Sequence, residues 1–169
     1  MASDDFWDVV PLGSASAGAA GARWRLERVP HAESLGTAGP VLAAIYEGAT
    51  VGGTRYRLLD AVDRDARPGA FWVIIHVNFV GSPAEEASFN EWYSSKHLRE
   101  VSSNPGFHRA WRLETVGPPG DAPFKYWAVY EIDHPDDFAN VRRRNTNPWD
   151  GLWPAHVAGF ERSFHRLIP

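Results

Sequence analysis

Along residues 71–80 the side chains alternate, with Phe71, Val73, Ile75, Val77 and Phe79 on one face and Trp72, Ile74, His76 and Asn78 on the other. That alternation predicts a β-strand. The period then changes. From Pro83 onward Phe89, Trp92, Tyr93, Lys96, His97 and Glu100 recur at intervals of three and four, which places them on one face of a helix over 83–103. Ser82 suits its N-cap, Pro83 its first position, and Glu85 completes a capping box. Asn104-Pro105-Gly106 stops it. Strands over 108–116 and 125–132, a helix over 135–145 and a strand over 159–167 follow. The order is βαββαβ, a ferredoxin-like plan.

Residues 1–69 repeat this pattern in reduced form. Trp24-Arg25-Leu26-Glu27-Arg28-Val29 returns as Trp111-Arg112-Leu113-Glu114-Thr115-Val116, and Ala44-Ile45-Tyr46-Glu47 as Ala128-Val129-Tyr130-Glu131. Phe6-Trp7 matches Phe71-Trp72, and Tyr56-Arg57-Leu58-Leu59 matches His165-Arg166-Leu167-Ile168. Four matches in one order indicate a duplicated unit. The spacings show what the first copy lacks: Trp7 lies 17 residues before Trp24, but Trp72 lies 39 before Trp111. Glu47 lies 9 before Tyr56, but Glu131 lies 34 before His165. Both helices are missing from the first copy, and a small-residue stretch from Gly13 to Gly21 stands where one would be.

The expectation is an α+β protein in one compact domain. A strand-only repeat (1–69) packs on a complete βαββαβ unit (70–169), and together they form a pseudo-symmetric β barrel or sandwich. A first sheet without helices would expose its outer face, so a second copy of the chain is expected to cover it.

Composition narrows the function classes. The 169 residues are 44% hydrophobic and 22% charged, ordinary globular usage. The absence of Cys removes disulfides, thiol nucleophiles, Cys-ligated zinc and iron–sulfur clusters. A net charge of −4 gives no global attraction to nucleic acid. No apolar run reaches membrane-spanning length and the start is acidic, so a cytoplasmic protein with no membrane partner is expected. The 7 His form neither H-x-x-x-H nor H-x-H pairs, so no metal site is expected, and no cofactor is called for. One axial His would suffice for haem, and nothing in the sequence selects it. The unusual quantity is the 8 Trp, which suggest a core or a pocket built of flat surfaces.

The stretch Phe89-Asn90-Glu91-Trp92-Tyr93-Ser94-Ser95-Lys96-His97-Leu98-Arg99-Glu100, followed by Pro105-Gly106-Phe107, resembles the dimeric α+β barrel superfamily, and within it the EthD-like small-molecule enzymes. The resemblance covers roughly residues 70–169 and implies a cavity between sheet and helices. It does not imply one reaction, because such proteins include cyclases, dehydratases, isomerases, cofactor-free monooxygenases and haem-degrading enzymes.

The candidate chemistry lies in the second copy. Tyr93 and His97 stand four apart on the helix, one to stabilise an oxyanion and the other to move a proton. His76 and Asn78 share a strand face and serve a site only if that face looks toward the helix; if it looks into the barrel, they form a structural pair. Phe89, Trp92, Trp149 and Trp153 are candidate walls for an apolar substrate. Arg25/Glu27 and Arg112/Glu114 read as paired charges where the two sheets meet. The expected activity is acid–base chemistry on a small aromatic or polyketide-like substrate. The alternatives are a cofactor-free monooxygenase and a non-catalytic binding or assembly protein.

Overall fold

The computed structural model describes residues 6–11, 22–36, 42–47, 53–64, 67–117, 122–144 and 148–169. Its strands are β1 (Phe6–Pro11), β2 (Trp24–Val29), β3 (Leu42–Glu47), β4 (Thr54–Asp63), β5 (Phe71–Phe79), β6 (Phe107–Thr115), β7 (Tyr126–Ile132) and β8 (Val157–Leu167). All pairings are antiparallel, and the strands close in the order β1-β3-β2-β8-β5-β7-β6-β4. Exchanging each strand with its counterpart four places along returns the same cyclic order. The sequence repeat is therefore a two-fold pseudo-symmetry of the barrel. The stretch Gly13–Gly21 lies outside the described residues.

Helices occur only between β5 and β8 among the described residues: α1 (Pro83–Trp92), α2 (Leu98–Ser102) and α3 (Pro135–Arg144). The Ser82 hydroxyl accepts from Glu85 N–H, and the Glu85 carboxylate accepts from Ser82 N–H at 2.7 Å, the reciprocal cap the sequence predicts. At the far end, Gly106 (φ 84°) turns the chain into β6 against the Asp137 carboxylate; a Cβ there would sit 2.5 Å from an oxygen, so only glycine fits.

The barrel interior is where the repeat pays its symmetry back. Trp7, Trp24, Trp72 and Trp111 meet there, all six pairs having ring centroids 5.0–5.9 Å apart. Leu26, Ile45, Ile74, Leu113, Trp127 and Val129 complete this core. A second core lies between sheet and helices, around Val73, Ile75, Val77, Phe89, Tyr93, Leu98, Tyr130 and Phe138.

Charged pairs do mark the places where the two sheets meet, but differently from the expectation. Glu114 pairs with Arg57 across the β4–β6 seam at 2.5 Å, and Glu27 pairs with Arg166 across the β2–β8 seam. These are equivalent positions in the repeat, and both arginines are exposed, so the pairs fix register more than they add stability. Arg25 instead donates to the Pro169 carbonyl, and Arg112 is drawn into the aromatic layer described below. The outer face of the first sheet is not bare across its centre: Asp8, Ala44 and Tyr46 are buried there.

Candidate active site

Helix α1 runs into α2 through a π-helical segment, Tyr93–His97, in which Leu98 N–H reaches back to the Tyr93 carbonyl. The wider turn brings the two candidate side chains together. The His97 ring lies 4.8 Å from Tyr93, edge-on at 78°, and 4.8 Å from Trp92, stacked at 19°. Such single π turns often accompany functional sites.

The opposite wall comes from the turn before β8. Trp149 (φ 67°) and Asp150 (φ 51°) both adopt left-handed backbone, a costly state for two consecutive non-glycine residues. The Asp150 carboxylate holds the turn in place by accepting from Trp92 Nε1 at 2.9 Å and Lys96 Nζ at 2.6 Å. Trp149 thereby reaches His97 (5.9 Å), Tyr93 (6.1 Å) and Phe160 (5.6 Å).

These residues enclose a cavity of about 180 Å³ between the second sheet, the π segment and α3. Ile75, Val101, Phe138, Val141 and Phe160 give it apolar walls; Tyr93, Tyr130, His97, Arg142 and Arg162 supply its polar groups. The hydroxyls of Tyr93 and Tyr130 are 3.5 Å apart, so one donates to the other and a single proton is left for a ligand. Burial raises both phenol pKa values and keeps them protonated. His97 is lowered to about 4, first by burial and then by the Arg112 charge; Asp150 opposes the shift and Lys96 adds to it. Its imidazole is neutral at neutral pH.

Behind Tyr93 lies a residue that the sequence reading missed in this role. Arg112 is fully buried, with its guanidinium 4.1 Å from the Tyr93 ring, 4.5 Å from Tyr126 and 5.5 Å from Phe89. Asn90 Oδ1 accepts from its Nη2 at 3.4 Å, while Nε and Nη1 have no hydrogen-bond partner among the described residues. Cation–π attraction to three rings replaces the usual carboxylate. The available signal was the helical spacing of Phe89 and Tyr93, which turns both rings toward one spot on the sheet.

The expected site residues separate into two groups. Tyr93, His97 and Trp149 line the cavity; Trp92 backs His97, and Phe89 and Trp153 pack behind them, 5.4 Å apart. His76 and Asn78 are not brought there, which corrects their candidacy for the site. Their strand face looks into the barrel, where His76 contacts Ser163 Oγ at 3.2 Å and stands edge-on to Trp127. Asn78 clamps the 123–125 turn, donating to the Pro123 carbonyl and accepting from Lys125 N–H, each at 2.8 Å. The repeat carried the signal for this. A copy expected from its spacings to lack helices can bury Trp7 only inside the barrel, so Trp72, and His76 and Asn78 in phase with it, belong inside too. Among the described residues no group of three or more metal-ligating side chains gathers, and no helix is long and apolar enough to cross a membrane.

No protein-family model and no curated protein matches the chain. Solved structures do. A ferredoxin-fold protein from Listeria monocytogenes, described as related to antibiotic biosynthesis monooxygenases, aligns with TM-score 0.58 and 12% identity over 97% of this chain and 94% of its own. A putative monooxygenase from Fusobacterium nucleatum gives 0.53 and 12% over 76% and 69%. A major regulator of staphylococcal pathogenesis gives 0.57 and 10% over 85% of each chain. The chain has the fold of the dimeric α+β barrels. At such identities the likeness establishes architecture, and one scaffold carries both the monooxygenase-related proteins and a regulator.

Proposed function

We propose that this protein is a small-molecule enzyme in which His97 removes a proton from a small aromatic or polyketide-like substrate bound in the cavity. The observation that carries the proposal is the neutral, half-buried His97 imidazole facing an apolar cavity beside the Tyr93–Tyr130 hydroxyl pair. A substrate carbonyl accepts the free hydroxyl proton as a hydrogen bond, which stabilises the oxyanion formed when the neighbouring C–H is deprotonated. The aromatic walls exclude water and orient the ring. His97 then returns the proton elsewhere on the substrate, giving cyclisation, dehydration or isomerisation without a cofactor. An imidazole of pKa about 4 is a weak base, so the fitting substrate has an activated C–H or phenol.

The two monooxygenase-related structures favour a second reading, in which the same deprotonation delivers an electron-rich anion to dioxygen. Incubation with candidate aromatic ketones and phenols under an oxygen electrode separates them. Product without oxygen uptake supports the acid–base reading, and stoichiometric uptake supports the oxygenase. A single chain suffices to build this cavity; homodimerisation, proposed on the sequence repeat, is tested by sedimentation.

A further inference from the structure

The cavity has a charged rim that the proton-transfer chemistry does not use. Strand β2 pairs with β8 as far as Val29 opposite Phe164, and pairing resumes only at Leu35, whose backbone exchanges two 2.9 Å hydrogen bonds with Arg162. Between them residues 30–34 loop out over the helix side. His31 packs on Phe164 at 4.3 Å and contacts Asp136 of α3 at 3.2 Å. Glu33 reaches Arg142 Nη1 at 2.5 Å and Arg162 Nη2 at 3.2 Å, and its carbonyl accepts from Arg162 Nε at 2.5 Å. Leu35 completes the rim, 44% exposed at the mouth.

The charges at this rim do not balance. Arg142 and Arg162 both line the cavity, no carboxylate does among the described residues, and the two share the Glu33 side chain. Arg162 is only 3% exposed, and its guanidinium reaches Glu33 through Nε and Nη2. Asp136 is engaged by His31, and Asp150, beside His97, by Lys96 and Trp92. A nearly buried guanidinium that shares its counter-ion is costly, and an anion entering the apolar chamber would relieve that cost. A planar carboxylate suits the guanidinium fork best.

We propose that Arg162 and Arg142 form a carboxylate subsite, and that the substrate is a small aromatic or polyketide-like acid whose anionic end displaces the Glu33 side chain from the arginine pair. This rests on the cavity at His97 being the substrate site. The test compares 2-naphthoate with its neutral isostere 2-naphthamide, titrated into the whole chain by calorimetry and by tryptophan fluorescence, for which Trp149 is the reporter. The acid should bind roughly tenfold more tightly than the amide, with the preference shrinking as salt rises. Glu33→Gln should tighten the acid about threefold or more, and Arg142→Gln should weaken it by a similar factor, with the amide unaffected by either. Arg142 is exposed, so its replacement leaves the core intact even if an Arg162 variant fails to fold. Equal affinity for acid and amide, a weaker acid complex in Glu33→Gln, or no binding of either probe overturns the proposal. Its failure is distinguishable from that of the proton-transfer reading. Acid preference retained while turnover survives His97→Gln removes His97 from the chemistry and keeps the subsite. Turnover lost in His97→Gln without acid preference does the reverse.

Discussion

The imidazole of His97 stands edge-on to the phenol ring of Tyr93, 4.8 Å away, because the helix that carries both widens by one residue between them. Replacing His97 by Gln should lower turnover by about 10²–10⁴-fold. The pH profile adds a sharper signature. A base held at about 4 is active when deprotonated, so activity should fall as pH drops through about 4 and show no limb near the ordinary histidine value. A profile that bends near 6.5 would show that another group carries the proton.

The widened turn itself can be removed. Deleting Ser95 should restore regular α-helical register and rotate His97 relative to Tyr93. The expected result is loss of turnover comparable to His97→Gln with helical circular dichroism preserved. Turnover unchanged by the deletion would make the π segment irrelevant to the site.

Arg112 is the second cause of the low His97 value, after burial. Arg112→Met keeps much of the side-chain volume and removes the charge, so the His97 resonance followed by NMR should titrate above about 4. Tyr93 should remain protonated, since burial is the first cause of its raised value.

Asp150 ties the strained turn to the helix through Trp92 and Lys96. Asp150→Ala should lower the urea unfolding midpoint and raise KM more than it lowers kcat, because Trp149 loses its support. Asp150→Asn keeps a side chain that tolerates left-handed backbone and should fall between the two.

His76 and His165, both inside the barrel and both contacting Ser163 Oγ, are lowered to about 3, first by burial and further by the neighbouring Arg28 charge; His165 also lowers His76. The unfolded chain therefore binds protons that the folded one does not between about pH 6.5 and 3. Stability from these groups is fully present above the unfolded value and is lost as pH falls through that window, by up to about 1.4 kcal/mol per pH unit for each. Urea unfolding from pH 7 to 4 measures this, and His76→Gln should flatten the slope.

Patterns of period and repetition made the scaffold readable. The capping box at Ser82, the βαββαβ order and the Trp positions shared by two copies are local or self-repeating signals, and the structure keeps them. The candidate site was half legible. Tyr93 and His97 announce themselves by spacing on one helix, whereas nothing in Tyr93-Ser94-Ser95-Lys96-His97 signals a π turn, which is a backbone register set by packing. Left-handed backbone at Trp149 and Asp150 runs against residue preference, so no propensity argument reaches it. The Glu33 contact with Arg142 and Arg162 joins positions more than a hundred residues apart, and no short-range pattern encodes such a meeting.

Closure of the barrel within one chain frees its halves from copying one another. Where two identical subunits close a barrel, every substitution appears twice, and each subunit must serve as both wall and rim. Here the β4–β6 and β2–β8 seams are covalently tethered. One half has kept the chamber, while the other supplies Glu33 and Leu35 to its entrance. Barrel closure is then a unimolecular step whose rate does not depend on protein concentration, and the entrance can change its selectivity without disturbing the chamber wall.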